Sequence, residues 1–213
     1  VLLDEGRAVK RHLTVASNRP PHPTTSPRTG DLDDTPAPGC SSASASGCRL
    51  PAVSGKAKLI IKDNADGKKD SLRWTWAKGS ATTLTELGDP VDGDAYFLCV
   101  YDGAGRVSST TLPAGGTCAK KPCWAAKKNV FTYRDTLLTP DGALTAKLTA
   151  GAAGKASVAV FAKGVNLETP AIASLTGPVR VQLQRADGGI CFESVFGAPF
   201  DKNAKGTFTD SAD

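Results

Sequence analysis

Four oxygen-bearing side chains crowd one glycine in DNADGKKD, residues 63–70. Asp63, Asn64, Asp66 and Asp70 are residue types that ligate calcium, a hard cation held by carboxylate and amide oxygens. A calcium loop wants its ligands at alternate positions before the glycine. Asn64 and Asp66 keep that phase, and Asp70 follows Gly67 by three. Lys62 stands at the first alternate position, where an acid is needed, and Asp63 is out of phase. The spacing favours a turn whose Asp and Asn side chains bond nearby backbone amides. No metal or other cofactor is expected.

A second cluster is CAKKPCWAAKKN, residues 118–129, in which Lys120, Lys121, Lys127 and Lys128 flank Trp124. Cations beside an aromatic on a constrained loop suit an anionic polymer, such as acidic polysaccharide, lipopolysaccharide or nucleic acid. The plainer reading is a solvated linker with Trp124 closing the core at an edge. Net charge is +5, compatible with such a partner and too small to argue for one.

Catalytic constellations are sparse. Both histidines, His12 and His22, precede Cys48. This argues against Ser-His-Asp and Cys-His catalysis and against the commonest zinc sets. Glu86, Glu168 and Glu193 leave room for a carboxylate pair, as in sugar hydrolysis. Glu193 is the one glutamate inside an expected strand, and it reads as facing outward beside inward Phe192 and Phe196. No glycine-rich loop opens a helix, so a nucleotide site has no support. The expectation is a protein that is not an enzyme.

Six cysteines, Cys40, Cys48, Cys99, Cys118, Cys123 and Cys191, fit three disulfides in an exported, oxidising setting. Cys118 and Cys123 are close in sequence and are expected to pair. Cys99 and Cys191 both point away from their strands' apolar faces, which suggests Cys99–Cys191; Cys40–Cys48 is then left by elimination. The chain contains no Met and reads as processed or as a fragment.

The elements that must position these residues are strands. From Cys48 on, short apolar segments such as KAKLIIK, SLRWTWA, DAYFLCVYD, NVFTYRD and KASVAVFAK alternate with turn residues. Leu72, Trp74 and Trp76 share one face of a strand, with Ser71, Arg73 and Thr75 on the other. The tryptophans are thus expected in a core rather than on a sugar platform.

An internal repeat runs through this region. Shifting by 72 residues places Leu59, Ile61, Trp74 and Trp76 on Phe131, Tyr133, Ala146 and Leu148. Later the shift grows to 85, placing Tyr96 and Leu98 on Val181 and Leu183. The difference is an insertion of 13 residues around GKASVAVFAKGVN. Two copies of a four-stranded unit suggest two sheets, or two half-barrels, one facing the other. The predicted fold is all-β: a disulfide-stapled, jelly-roll-like β-sandwich over 48–213, with repeat halves at about 56–115 and 128–213. Residues 1–47, rich in Pro, Ser, Thr and Gly, read as a low-complexity linker or tail.

CRLPAVSGKAKLIIKDNADGKKDSLRWTWAKG, YFLCVYD, GTCAKKPCW, FTYRD and CFESVF resemble an uncharacterised β-rich domain of predicted exported bacterial proteins. The resemblance covers about 48–213 and implies an exported β-domain, without transferring a site. The functional expectation is a secreted or cell-surface structural or binding module, with no membrane span, contacting an anionic polysaccharide or other surface polymer. Alternatives are a carbohydrate-binding or carbohydrate-active accessory domain, and a filament subunit that self-associates through residues 1–47.

Overall fold

A computed structural model describes residues 39–212. Within them fourteen strands form in chain order: β1 (Ala57–Lys62), β2 (Ser71–Gly79), β3 (Tyr96–Asp102), β4 (Gly105–Leu112), β5 (Thr117–Cys118), β6 (Lys121–Pro122), β7 (Trp124–Lys127), β8 (Val130–Arg134), β9 (Ala143–Thr149), β10 (Ala156–Lys163), β11 (Val179–Arg185), β12 (Cys191–Phe196), β13 (Lys202–Ala204) and β14 (Thr207–Ser211). The named strand pairs are all antiparallel. A large sheet has the order β13-β14-β1-β2-β10-β9-β8-β7, a small one β12-β11-β3-β4, and β5-β6 form a hairpin.

The two larger sheets share one apolar core. Alternation puts Leu59 and Ile61 of β1, Leu72, Trp74 and Trp76 of β2, and Val158 and Val160 of β10 on the inner face. Leu98, Val100, Val181, Leu183, Phe192 and Phe196 answer from the small sheet. The tryptophans of β2 are fully buried. Trp74 Nε1 donates to Ser194 Oγ of the small sheet at 3.1 Å, and Trp76 meets Phe192 edge-on with ring centroids 5.0 Å apart. The Trp76 ring lies where a Cβ on Gly79 would be, 1.8 Å away, so no larger residue fits there.

The repeat is distributed in an unexpected way. Each copy does not build a sheet of its own. The first copy gives β1 and β2 to the large sheet and β3 and β4 to the small one; the second gives β8 and β9, then β11 and β12. The inserted segment is β10, which lies between β2 and β9 and is antiparallel to both. β2 and β9 therefore run in the same direction, whereas their counterparts β3 and β11 are antiparallel neighbours. An added strand reverses direction once, so the sequence repeat cannot become a simple two-fold axis of the sandwich.

Two of the expected disulfides are re-paired. The bonds are Cys40–Cys99, Cys48–Cys191 and Cys118–Cys123. Cys99 and Cys191 do lie on the outer face of the small sheet, but β11 separates their strands. Two interstrand steps of about 4.8 Å put them roughly 10 Å apart, beyond the Cα reach of a disulfide. Cys40 and Cys48 each take one of them instead. Residues 40–47, read as tail, are thereby part of the folded unit; residues 1–38 of that tail, and the self-association expected of it, lie outside the described residues.

Between its two disulfides the chain crosses the small sheet's outer face as a strap. Ser42 O accepts from Arg106 N at 3.2 Å, and Ala45 is held in both directions by the Gln182 amide, at 2.9 and 2.8 Å. Arg49 then pairs alongside the edge strand β12, exchanging bonds of 2.8 Å with Cys191 O and Glu193 N. Cys40, Phe97, Cys99 and Tyr101 make a small second core beneath it.

Candidate anion-binding face

The strap covers the outside of the small sheet; the outside of the large sheet has no such cover among the described residues. Register brings its side chains into rows across the strands. One row reads Ile60, Arg73, Phe161, Thr145, Arg134 from β1 to β8; the next reads Lys58, Thr75, Ala159, Lys147, Thr132. Lys62, Ser71 and Lys163 form a third. Strands β1, β2, β7, β8, β9 and β10 contain lysines and arginines but no aspartate or glutamate. The only acid of β14, Asp210, is buried opposite Leu59 on the inner side.

The centre of this face is a depression of about 360 Å³. Ala159 gives it a low floor, and Arg73, Thr75, Thr132, Arg134, Thr145 and Lys147 surround that floor. The Arg73 guanidinium carbon sits 4.4 Å above the Phe161 ring centre, a cation–π stack that holds the cation over the sheet. Arg73, Arg134 and Lys147 form no ion pair among the described residues. Thr75 and Thr145 carry hydroxyls without a side-chain hydrogen bond there. Exposed cations without carboxylates nearby raise the local potential and attract anions.

The lysine loop expected to bind has a different form. Trp124 is buried, only 2% exposed; its Nε1 donates to Pro113 O at 2.7 Å and its ring packs against Tyr133 and Tyr96. It closes the core on the edge strand β7 and is not a platform. Burial in this cluster also pushes the Tyr133 phenol up to about 12. Lys120 occupies the two-residue turn of the β5–β6 hairpin, and Lys128 the turn between β7 and β8. Lys127 faces outward on β7 opposite Val130, so it belongs to the border of the large-sheet face. Lys121 lines a smaller hollow of about 260 Å³ with Arg134 and Thr136. The loop's cations are thus split between two turns and the margin of the basic face.

The acidic segment 63–70 is a turn leading into β2. Asp70 Oδ1 accepts from Asn64 N at 2.7 Å, Asp66 Oδ1 from Lys68 N at 3.2 Å, and Asn64 Nδ2 donates to Lys69 O at 2.8 Å. Asp63 is bonded by Thr169 Oγ1 at 3.3 Å. The Asn64, Asp66 and Asp70 side chains serve the turn, as the spacing predicts, while Asp63 ties it to a distant loop.

The three glutamates sit in separate places. Glu86 accepts from Arg49 and from Thr83 N and Oγ1, and the Arg49 guanidinium is the main cause that lowers it to about 2. Glu168 caps the free edge of β4, accepting from Ser109 N at 3.1 Å. Glu193 is on the outer face of β12 as expected, yet it is buried rather than solvated: the strap covers it, and Arg180 and Gln182 bond it. Its burial could not be read from alternation, because what covers it is distant in sequence.

No family model, curated protein or solved structure matches this chain. No helix among the described residues is long and apolar enough to cross a membrane.

Proposed function

We propose that this is an exported, non-catalytic binding module that holds an anionic polymer on the outer face of its large sheet. One observation carries the reading: five strands without an acid among them present Lys58, Lys62, Arg73, Arg134, Lys147 and Lys163, and three of these, Arg73, Arg134 and Lys147, line a shallow depression. Three disulfides support the exported setting, since such bonds persist where the medium is oxidising. The site differs from the Trp124 loop as a whole, keeping only Lys121 and Lys127 at its margin.

The test is binding to immobilised heparin, a dense polyanion, at low and high salt. Binding is expected to weaken steeply with salt, because neutralised anions recover their counterions. The triple substitution Arg73→Glu, Arg134→Glu, Lys147→Glu should abolish retention while changing stability by no more than about 1 kcal/mol per exposed site, the largest share from the lost Arg73–Phe161 stack. Lys120→Glu with Lys128→Glu should reduce it little. Wild-type retention by the triple variant would overturn this assignment of the face.

A further inference from the structure

The arrangement of the basic face also points to which polyanion it takes. We propose, resting on the reading of this face as the binding surface, that the ligand is a linear acidic polysaccharide laid across the strands. Its carboxylates would meet Arg73, Lys147 and Arg134, and its hydroxyls Thr75 and Thr145.

Direction comes first. Arg73 is on β2, Lys147 on β9 and Arg134 on β8, within two adjacent rows of the sheet. From Arg73 to Arg134 is three interstrand steps, roughly 14 Å; the offset between rows is two residues, roughly 7 Å. The track is therefore longer across the strands than along them. Lys58 on β1 extends it at one end and Lys127 on β7 at the other, a width of about 24 Å.

Charge spacing comes second. Along the axis of a nucleic acid duplex each strand carries a phosphate about every 3.4 Å. Cations spread over roughly 14 Å, separated by neutral Thr145 and Ala159, match a sparser polymer that carries acid on only some of its units. The lining supplies the third argument. Single-stranded nucleic acid is usually held by aromatic rings on which bases stack. The one aromatic on the outer side of this depression, Phe161, is covered by the Arg73 guanidinium. What remains exposed between the cations is hydroxyl and methyl, suited to the hydroxyls and C–H faces of sugars.

The experiment compares oligomers in which a uronic acid alternates with a neutral sugar, graded in length, with poly(dT) and a neutral glucan at matched ionic strength. Uronate affinity is expected to rise with length until the oligomer spans about 24 Å and then to level off. Poly(dT) should bind at least tenfold more weakly and the glucan not at all. Thr75→Val with Thr145→Val keeps every charge; it should cost about tenfold in uronate affinity, with the salt dependence unchanged. Poly(dT) binding as tightly as uronate would overturn the glycan proposal and leave the polyanion reading standing. Uronate binding insensitive to the threonine pair would overturn the proposed pose, and equal binding of neutral glucan would overturn both. Failure of uronate, poly(dT) and heparin alike would overturn the reading of the face itself.

Discussion

The two sheets bury similar inner faces but treat their outer faces in opposite ways. On the small sheet, the strap is held by Cys40–Cys99 and Cys48–Cys191, and the charges beneath and beside it are paired: Arg180 with Glu193 on the outer face, Arg185 with Asp187 and Arg49 with Glu86 at one end, leaving Arg106 on β4 without an ion partner among the described residues. Even the fully buried Gln182 is shared among Ala45, Glu193 and Gln184. On the large sheet, Arg73, Arg134 and Lys147 stand without ion partners among the described residues. Paired charges stabilise the fold at the cost of an interaction surface. Unpaired ones contribute little to folding and remain available to an anion. The same strand chemistry has been used once for closure and once for display.

The largest test of this contrast removes a staple. Cys48→Ala with Cys191→Ala opens a loop spanning 143 residues and should destabilise by about 2–5 kcal/mol. Removing Cys118–Cys123, which spans 5, should cost less, because a short loop limits the unfolded chain little. Denaturant melts of both variants measure the difference. Heparin retention of the Cys48/Cys191 variant should stay at wild-type level wherever it is folded. A loss of retention without unfolding would mean that the two faces are coupled and the division between them is wrong.

A smaller change probes the strap's polar attachment. Gln182→Leu removes both hydrogen bonds to Ala45 and leaves Glu193 one donor short. Leaving buried polar groups unpaired costs about 1–3 kcal/mol. The corresponding loss of a hydroxyl on the open face, Thr75→Val, should cost less than about 0.5 kcal/mol. If Gln182→Leu melts like the wild type, the disulfides alone hold the strap and its amide pairing is incidental.

Much of the inner architecture was legible in the sequence because alternation reports burial directly. Leu72, Trp74 and Trp76 fell on one face, and the inserted segment around Ala156–Lys163 stood out as an addition to a repeat. Strand order was not legible. Whether β11 lies between β3 and β12 depends on contacts distant in the chain, and that one fact decides the disulfides. The strap was missed for a related reason: residues 40–47 have no apolar period, and covalent bonds with a few polar contacts hold them instead. The basic face does have a signal in the sequence. The polar positions of β1, β2, β8, β9 and β10 contain Lys58, Lys62, Arg73, Arg134, Lys147 and Lys163 and no acid. Lys62, read as the misfit of a calcium loop, is one of them. The lysines adjacent in sequence around Trp124 are the stronger local signal, yet Lys120 and Lys128 occupy turns and the tryptophan is core.

The smallest expected effect is acid sensitivity at one end of the strap. Arg49 reaches from the strap to Glu86 and to Thr82 Oγ1, the latter at 2.9 Å. Thr83 and Glu86 add a reciprocal pair of backbone bonds in the manner of a capping box. Glu86 is lowered from 4.5 to about 2 in the folded protein, first by its bond from Arg49 and then by those from Thr83. A carboxyl whose folded value lies below its unfolded value contributes stability that is fully present above the unfolded value. That contribution is lost as pH falls through the folded one. The junction should therefore weaken between about pH 4.5 and 2. Asp187, lowered by Arg185 at the same end of the sheet, adds to the loss in the same direction. Glu86 is exposed, so the change should be a modest fall in Tm, made shallower by Glu86→Gln. Among the described residues the open face has no carboxylate, so retention on heparin, whose sulfates stay ionised, should be unchanged from pH 7 to about 5. A drop in retention over that range, with the fold intact, would place a titrating acid inside the binding face and break the contrast between the two sheets.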